Sequence, residues 1–349
     1  MSTPKTVRTR ARLAVLTGAL ALLTGACAED APLDFLNNQS GRGAERADQL
    51  WDITFWVAVA VFVLVEGALV VLLFKYRHRP GREAAQFHGN TRVEIVLTLI
   101  PALILAAIAV PTVKTVFDLA ENPPGALQVK VIGRQFWWEY QYLDLGLTTA
   151  NELHIPVGKA TRLTIEGATD DVIHSFSVPR LAGTQDVVPG RINFLTLEPT
   201  EEGNYFGQCK EYCGLSHANM RLRVIVESEA EFEQWLADQR EEANSAALSH
   251  DGAQLFVDGS GDGQFADGPA CAACHTIGGL EGAGGVIGPN LTHVASRGTF
   301  AGALFELNRS NLARWLENPP GVKPGVKMPD LGLTSEEIQA LVDFLLELK

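Results

Sequence analysis

Two apolar runs dominate the first third of the chain, Ile53 to Phe74 and Ile95 to Phe117. At ~1.5 Å per residue each is long enough, as a helix, to cross a hydrocarbon core of ~30 Å, so the pattern predicts a transmembrane helical hairpin within 45–120. Lys75, Arg77, Arg79, Arg82 and Arg92 lie in and beside the loop between the runs, and the positive-inside bias places that loop in the cytoplasm. Everything after Phe117 then lies outside. Glu66 interrupts the first run and Glu94 opens the second. A carboxylate facing lipid is costly, so each is expected to face protein or water, and position alone makes Glu94 a residue of the membrane boundary.

A shorter apolar stretch, Leu13 to Leu23, follows Lys5, Arg8, Arg10 and Arg12 and ends in small residues, the order of a secretory signal. Residues 1–28 are set aside on that ground. Two cleavage readings stand: an Ala26-x-Ala28 site, or a lipoprotein-type end that leaves Cys27 as the lipidated first residue.

Beyond the spans the pattern shortens. Leu127 to Ile132, Phe136 to Tyr142, Thr161 to Ile165 and Arg191 to Leu197 are β-rich segments broken by Gly, Pro and Asp, which predicts a β-sandwich or Greek-key barrel over 125–228. Phe232, Trp235 and Leu236 then recur at helical spacing, so 229–246 is expected to be a linking helix. The last unit, 247–349, closes on a helix with a Thr334-x-x-Glu337 capping box and an apolar stripe of Ile338, Leu341, Val342, Leu345 and Leu346. A chain of 349 residues is expected to divide in this way rather than to form one core. The formal net charge of −13 argues against a nucleic-acid partner and suits one with a basic docking face.

The five cysteines are placed as a single, Cys27, and two close pairs. Cys209 and Cys213 share one segment with His217 and Met220, and His174 supplies a second imidazole. Thiolates, imidazoles and a thioether form a soft donor set, and the thioether favours copper over zinc. A Cys209–Cys213 disulfide is the alternative, but it leaves His217 and Met220 unexplained. The second pair lies in Cys271-Ala272-Ala273-Cys274-His275, the attachment signature of haem c, with Met328 downstream as a second axial ligand. His293 competes for that role, but it falls just past Gly288-Pro289-Asn290-Leu291 and is expected on the surface or beside a propionate.

The 209–220 segment, the two spans, Val93-Glu94 followed by Pro101, Asp171 to His174, and Asp186 through Pro189-Gly190-Arg191 together resemble subunit II of the haem-copper oxidases. With the haem signature added, the chain resembles the form of cytochrome c oxidase subunit II that carries a fused cytochrome c. The resemblance implies a multidomain fold: a two-helix transmembrane hairpin, a cupredoxin-like β-sandwich and an all-α class I cytochrome c domain. It implies a dinuclear copper centre, CuA, bridged by Cys209 and Cys213, with His174 and His217 terminating one copper each, Met220 a weak ligand and the Glu211 carbonyl another. The Glu211 carboxylate would face a magnesium ion shared with the catalytic subunit. Cys271 and Cys274 would hold haem c covalently, with His275 and Met328 as axial ligands. Glu94 would then mark the mouth of a proton path.

Where the family's aromatic segment has a tryptophan that receives electrons from soluble cytochrome c, this chain has Phe136, with Trp137 and Trp138 as substitutes. A tethered haem at high effective concentration need not use the same encounter site. The implied function is transfer of electrons from an upstream cytochrome c or cytochrome bc-type complex, through haem c and CuA, to haem in catalytic subunit I. There oxygen is reduced to water with proton translocation, in the cell membrane, with the soluble domains on the extracytoplasmic side. A copper-containing nitric oxide reductase subunit is the alternative within the same chemistry. A copper-delivery or redox-storage protein is the alternative outside it, and two spans exceed what such a module needs as an anchor.

Overall fold

The computed structural model describes residues 33, 38–78, 80–81, 88–259 and 270–349; the signal segment 1–28, with Cys27, and the loop residues Arg79 and Arg82 lie outside the described residues. The two apolar runs are the centres of longer helices, α1 (Arg42–Lys75) and α2 (Thr91–Ala120). Asn90 caps α2 by accepting from the amides of Arg92 (3.1 Å) and Val93 (3.4 Å), so the helix starts before its apolar run does. At the far end, the Arg162 guanidinium donates to the carbonyls of Ala120 (3.2 Å) and Glu121 (3.0 Å), supplying the last turn with donors that the helix cannot. The start of α1 is held by backbone bonds from Ser40 to Arg180 (2.9 Å) and from Ala44 to Leu181 (3.4 Å). Gly41 is required there, because a Cβ would strike the Leu181 carbonyl. Both helix ends thus grip the soluble part, while their apolar flanks stay exposed along the spans.

The sandwich holds ten strands: β1 (Leu127–Arg134), β2 (Trp137–Tyr142), β3 (Leu147–Ala150), β4 (Glu152–Pro156), β5 (Thr161–Gly167), β6 (His174–Ser177), β7 (Thr184–Val187), β8 (Ile192–Leu197), β9 (Gly203–Cys209) and β10 (Arg221–Glu227). They form two sheets of order β3-β2-β1-β5-β8 and β4-β10-β9-β6-β7. Trp138, Tyr140, Leu163 and Ile165 from the first sheet meet Leu153, Phe176, Leu222 and Val224 from the second, all wholly buried. Alternation of buried Leu222, Val224 and Val226 along β10 is the pattern of a strand with one face in the core.

The segment 229–246 is not one linking helix. Helix α3 (Glu229–Gln239) ends at Arg240, and Asn244 caps a separate turn, α4 (Ser245–Leu248), by accepting from the Ala247 amide at 2.9 Å. Nor does α3 merely link. Phe232 is buried against the sandwich, and Trp235 stacks on His154 at 4.3 Å between centroids, with His154 Nδ1 3.1 Å from Glu227.

The last unit is built from α5 (Asp251–Asp258), α6 (Arg309–Glu317), α7 (Pro319–Val322) and α8 (Ser335–Glu347), with one two-residue ladder between Thr299–Phe300 and Phe305–Glu306. Helices α5 and α8 cross at Gly252, where a Cβ would meet the Ala340 carbonyl and, at 2.6 Å, the Phe344 Cβ. Helix propensity alone favours alanine over glycine by about 1 kcal/mol. Overpacking at this crossing should outweigh that gain: Gly252→Ala is expected to lower stability by on the order of 1–2 kcal/mol, seen as a fall of roughly 5 °C or more in the Tm of the cytochrome unit.

Candidate copper and haem sites

The copper-type ligands are brought together from two strands and one loop. His174 opens β6 and Cys209 ends β9, and the 210–220 loop returns to β10 through a 3-10 turn at His217–Asn219. Its ends are pinned: the Cys209 amide donates to the Met220 carbonyl (2.9 Å) and the Lys210 amide to the Ser175 carbonyl (3.0 Å). Gly214, at φ +127°, makes the reversal, and the Gln135 amide group holds the neighbouring Cys213 carbonyl at 2.5 Å.

The two sulfurs are 3.9 Å apart and free of a disulfide. Cys209 Sγ is 4.0 Å from His174 Nδ1 and 3.2 Å from the Glu211 carbonyl. Cys213 Sγ is 3.7 Å from His217 Nδ1 and 3.9 Å from Met220 Sδ. All six positions expected around a copper centre therefore converge. The Glu211 side chain points to the surface, beside exposed Tyr212 and Leu215. Metal–thiolate bonds run ~2.3 Å, so sulfurs 3.9 Å apart leave room for an ion bonded to both.

Electrostatics agrees with that fit. The Cys213 thiol beside it, with His174 and nearby amides, pulls Cys209 well below the ordinary thiol range, and the resulting negative charge pushes Cys213 up. Two buried thiolates side by side need a cation to neutralise them, and a coordinated thiol is deprotonated outright.

Asp171 is the outer partner. Its carboxylate accepts from the amides of Gln135 (2.9 Å) and Val172 (2.8 Å) and from His174 Nε2 (3.2 Å), which turns His174 Nδ1 toward the sulfurs. Burial alone would raise its pKa, but these donors and Lys327 hold it well below the usual carboxylate range. A carboxylate lowered in the folded state stabilises the fold above its unfolded value of about 4 and loses that contribution as pH falls. Acid titration of the detergent-solubilised chain should show this loss, and Asp171→Asn should flatten the acid limb while costing on the order of 2 kcal/mol near neutrality.

The haem-type residues line one cavity of about 450 Å³ whose wall includes Cys271, Cys274, His275, Met328, Leu291, Phe300, Trp315 and Leu341. A 3-10 turn at Cys271–Ala273 puts both thiols on the wall. His275 Nδ1–H donates to the Pro289 carbonyl at 2.8 Å, and burial lowers the imidazole's pKa, which favours the neutral ring with Nε2 left free to ligate. Gly288 is needed for the loop to lie on that ring, since a Cβ would come within 2.5 Å of it. An apolar slot with paired thiols, an oriented imidazole and a thioether fits a covalently held haem.

His293 is neither on the surface nor on the cavity wall. It is buried, with Nε2 3.0 Å from the Glu241 carbonyl, because the 3-10 turn that follows folds it back against the end of α3.

Two basic residues were invisible as site residues in the sequence. Arg297 lines the cavity, donates to the Asn290 carbonyl at 2.6 Å, and is pushed down to about 10 by burial. Lys323 is 1% exposed and pushed down to about 7, also by burial. Neither carries a motif; only its position in the fold marks it.

The cavity is not confined to the last unit. Arg134, Gln135, Phe136, Trp137 and Asp171 of the sandwich complete its wall. Phe136 is 2% exposed, and its ring also lies against Gly214 of the copper loop. Trp138 is wholly buried and packs edge-to-face with His174, 6.1 Å between centroids. Glu66 and Glu94 belong to neither site: both are exposed, on α1 and in the first turn of α2.

Membrane helices, a soft thiolate loop on a sandwich and a haem-type cavity against it define a membrane-anchored electron-transfer protein. Family models match three stretches of the chain: the transmembrane domain of cytochrome c oxidase subunit II at 31–115, its periplasmic domain at 145–228, and cytochrome c at 249–349. Cytochrome c oxidase subunit 2 of Alkalihalophilus pseudofirmus is 35% identical, covering 84% of each chain; that of Bacillus subtilis is 31% identical over 97% of this chain and 98% of its own. The solved periplasmic domain of subunit II of cytochrome oxidase (CoxB) of Bradyrhizobium japonicum is 31% identical, covering 34% of this chain and 96% of that one at a TM-score of 0.32. The chain belongs to the cytochrome c oxidase subunit II family and carries a cytochrome c domain. It is thus a membrane subunit of a terminal oxidase, with an extracytoplasmic part built for copper and haem c.

Proposed function

We propose that this chain collects electrons at its own haem domain and delivers them, through its copper loop, to a haem-copper catalytic subunit. Cys271 and Cys274 would hold haem c and Cys209 and Cys213 a CuA pair, groups that would supply one-electron redox chemistry between an upstream cytochrome c or cytochrome bc-type complex and haem in subunit I. There oxygen becomes water with proton translocation.

The observation that carries this reading is the shared wall: Phe136 and Trp137 of the sandwich line the haem cavity while the Phe136 ring touches the copper loop. A buried Phe136 offers nothing to a diffusing donor, so the tethered domain takes the place of the encounter site that the family's tryptophan provides.

The chain's residues hold and orient. His275 and Met328 line the cavity, where they would hold the haem iron, and the Pro289 carbonyl fixes the His275 tautomer. His174 and His217 each direct Nδ1 at one sulfur, with Met220 and the Glu211 carbonyl as the weak donors. The exposed Glu211 carboxylate suits a magnesium ion completed by ligands of subunit I, and the exposed Tyr212 and Leu215 beside it suit that contact. Glu94 at the start of α2 suits the mouth of a proton path. An export signal over 1–28, with Cys27 as an optional lipid anchor, suits a complex of the cell membrane.

Oxygen uptake by membranes carrying the assembled complex tests the reading. Reduced upstream donor should drive uptake that stops on haem loss from this chain; nitric oxide consumption without oxygen uptake would assign the chain to a reductase instead.

A further inference from the structure

The haem-bearing unit meets the sandwich through two buried ionisable side chains, one from each side. Glu152, at the start of β4 and 2% exposed, accepts from the Gly298 amide (3.1 Å), the Thr299 amide (2.7 Å) and the Thr299 hydroxyl (2.5 Å) of the haem unit. Lys323 of the haem unit donates in return to the Phe136 carbonyl (2.7 Å) of the sandwich, and to its own unit's Ala301 carbonyl (2.6 Å). Between these anchors the Arg221 amide, first in β10, donates to the Gly302 carbonyl at 2.9 Å. Gly302, at φ +76°, allows the approach: a Cβ there would fall 2.6 Å from Lys323 Nζ and 2.7 Å from the Phe136 oxygen.

Buried charges seldom add net affinity, because leaving water costs them about what the contact returns. Their effect is on register. A pose shifted by even one residue leaves a carboxylate or an ammonium buried without a partner, which is strongly disfavoured, whereas an apolar contact would tolerate the slip. The two anchors have opposite polarity, a sandwich carboxylate accepting from the haem unit and a haem-unit amine donating to the sandwich, so a shifted pose does not satisfy both.

We propose that Lys323 and Glu152 are positioning residues that lock the haem unit onto the sandwich in a single docked pose, with the haem cavity held against Phe136. The inference rests on the haem-to-copper reading above and adds that transfer proceeds without the domain swinging. Lys323 acts through the Phe136 backbone, the segment that touches both the cavity and the copper loop.

The test uses the purified, cofactor-loaded complex as wild type, Lys323→Met and Glu152→Gln, each checked for unchanged haem and copper absorbance. Backbone exchange is read at the Arg221 amide, whose bond to Gly302 neither substitution touches. Haem-to-copper electron transfer is timed in the same samples after photoreduction of the haem. Both variants should speed Arg221 exchange by roughly tenfold to a hundredfold, the range expected when buried carbonyls or amides lose a charge-assisted partner, and slow the transfer about tenfold or more as the pose loosens.

Wild-type exchange in both variants would overturn the lock. Faster exchange with an unchanged transfer rate would overturn the positioning role. A wild type that passes no electrons from haem to copper would refute the transfer reading instead, and the exchange data would still decide whether the pose is locked.

Discussion

Serine in place of Cys209 is expected to strip copper from the chain and to lower oxygen uptake by the assembled complex at least roughly a hundredfold, since loss of an outer partner alone costs 10–100-fold at metal sites. Cys209 sits at the centre of the donor set, near Cys213, His174 and the Glu211 carbonyl. A hydroxyl is a hard, weakly acidic donor and cannot replace a thiolate for a soft ion. Its loss also removes the negative charge that the site is built around, leaving Cys213 a buried, protonated thiol whose pKa burial still holds up. The β9–β10 ladder does not depend on the sulfur, so the variant should fold and keep its haem. Elemental analysis and haem absorbance on one sample check both halves of this expectation.

Replacing Cys271 and Cys274 together with alanine is expected to do the reverse. Copper should stay, haem should no longer follow the polypeptide through denaturing electrophoresis, and electron delivery should fall by at least roughly a hundredfold. The size of the effect depends on Phe136. If that position were open, soluble cytochrome c would bypass the missing haem; at 2% exposure beneath the haem unit it is closed. Restoration of uptake by added soluble cytochrome c would show that a second route into the copper loop exists.

Much of this organisation could be read from the sequence because its signals are local. The spans are set by length and hydropathy, the haem attachment by five consecutive residues, and the copper loop by a run of 12, so none depends on knowing the tertiary fold. His174 could be read as an available imidazole, but its place as a ligand came through the resemblance, since nothing in its own segment points 35 residues ahead to Cys209. Contacts between units were the part that stayed hidden. Lys323 and Glu152 look like surface charges in the sequence, and only the docked arrangement buries them. The helix expected over 229–246 failed for a related reason: its apolar residues at helical spacing are real, but they seat α3 on the sandwich, and the Asn244 cap starts a new element rather than continuing the old one. His293 was likewise misplaced because its burial comes from the end of α3, more than fifty positions earlier.

The most direct measurement is copper and covalent-haem stoichiometry on the purified chain, matured with copper and a haem c attachment system, by elemental analysis and pyridine haemochrome. The account predicts two coppers and one covalent haem per chain. A chain with no copper and a Cys209–Cys213 disulfide would contradict it, reducing the sandwich to a scaffold for a membrane-tethered cytochrome.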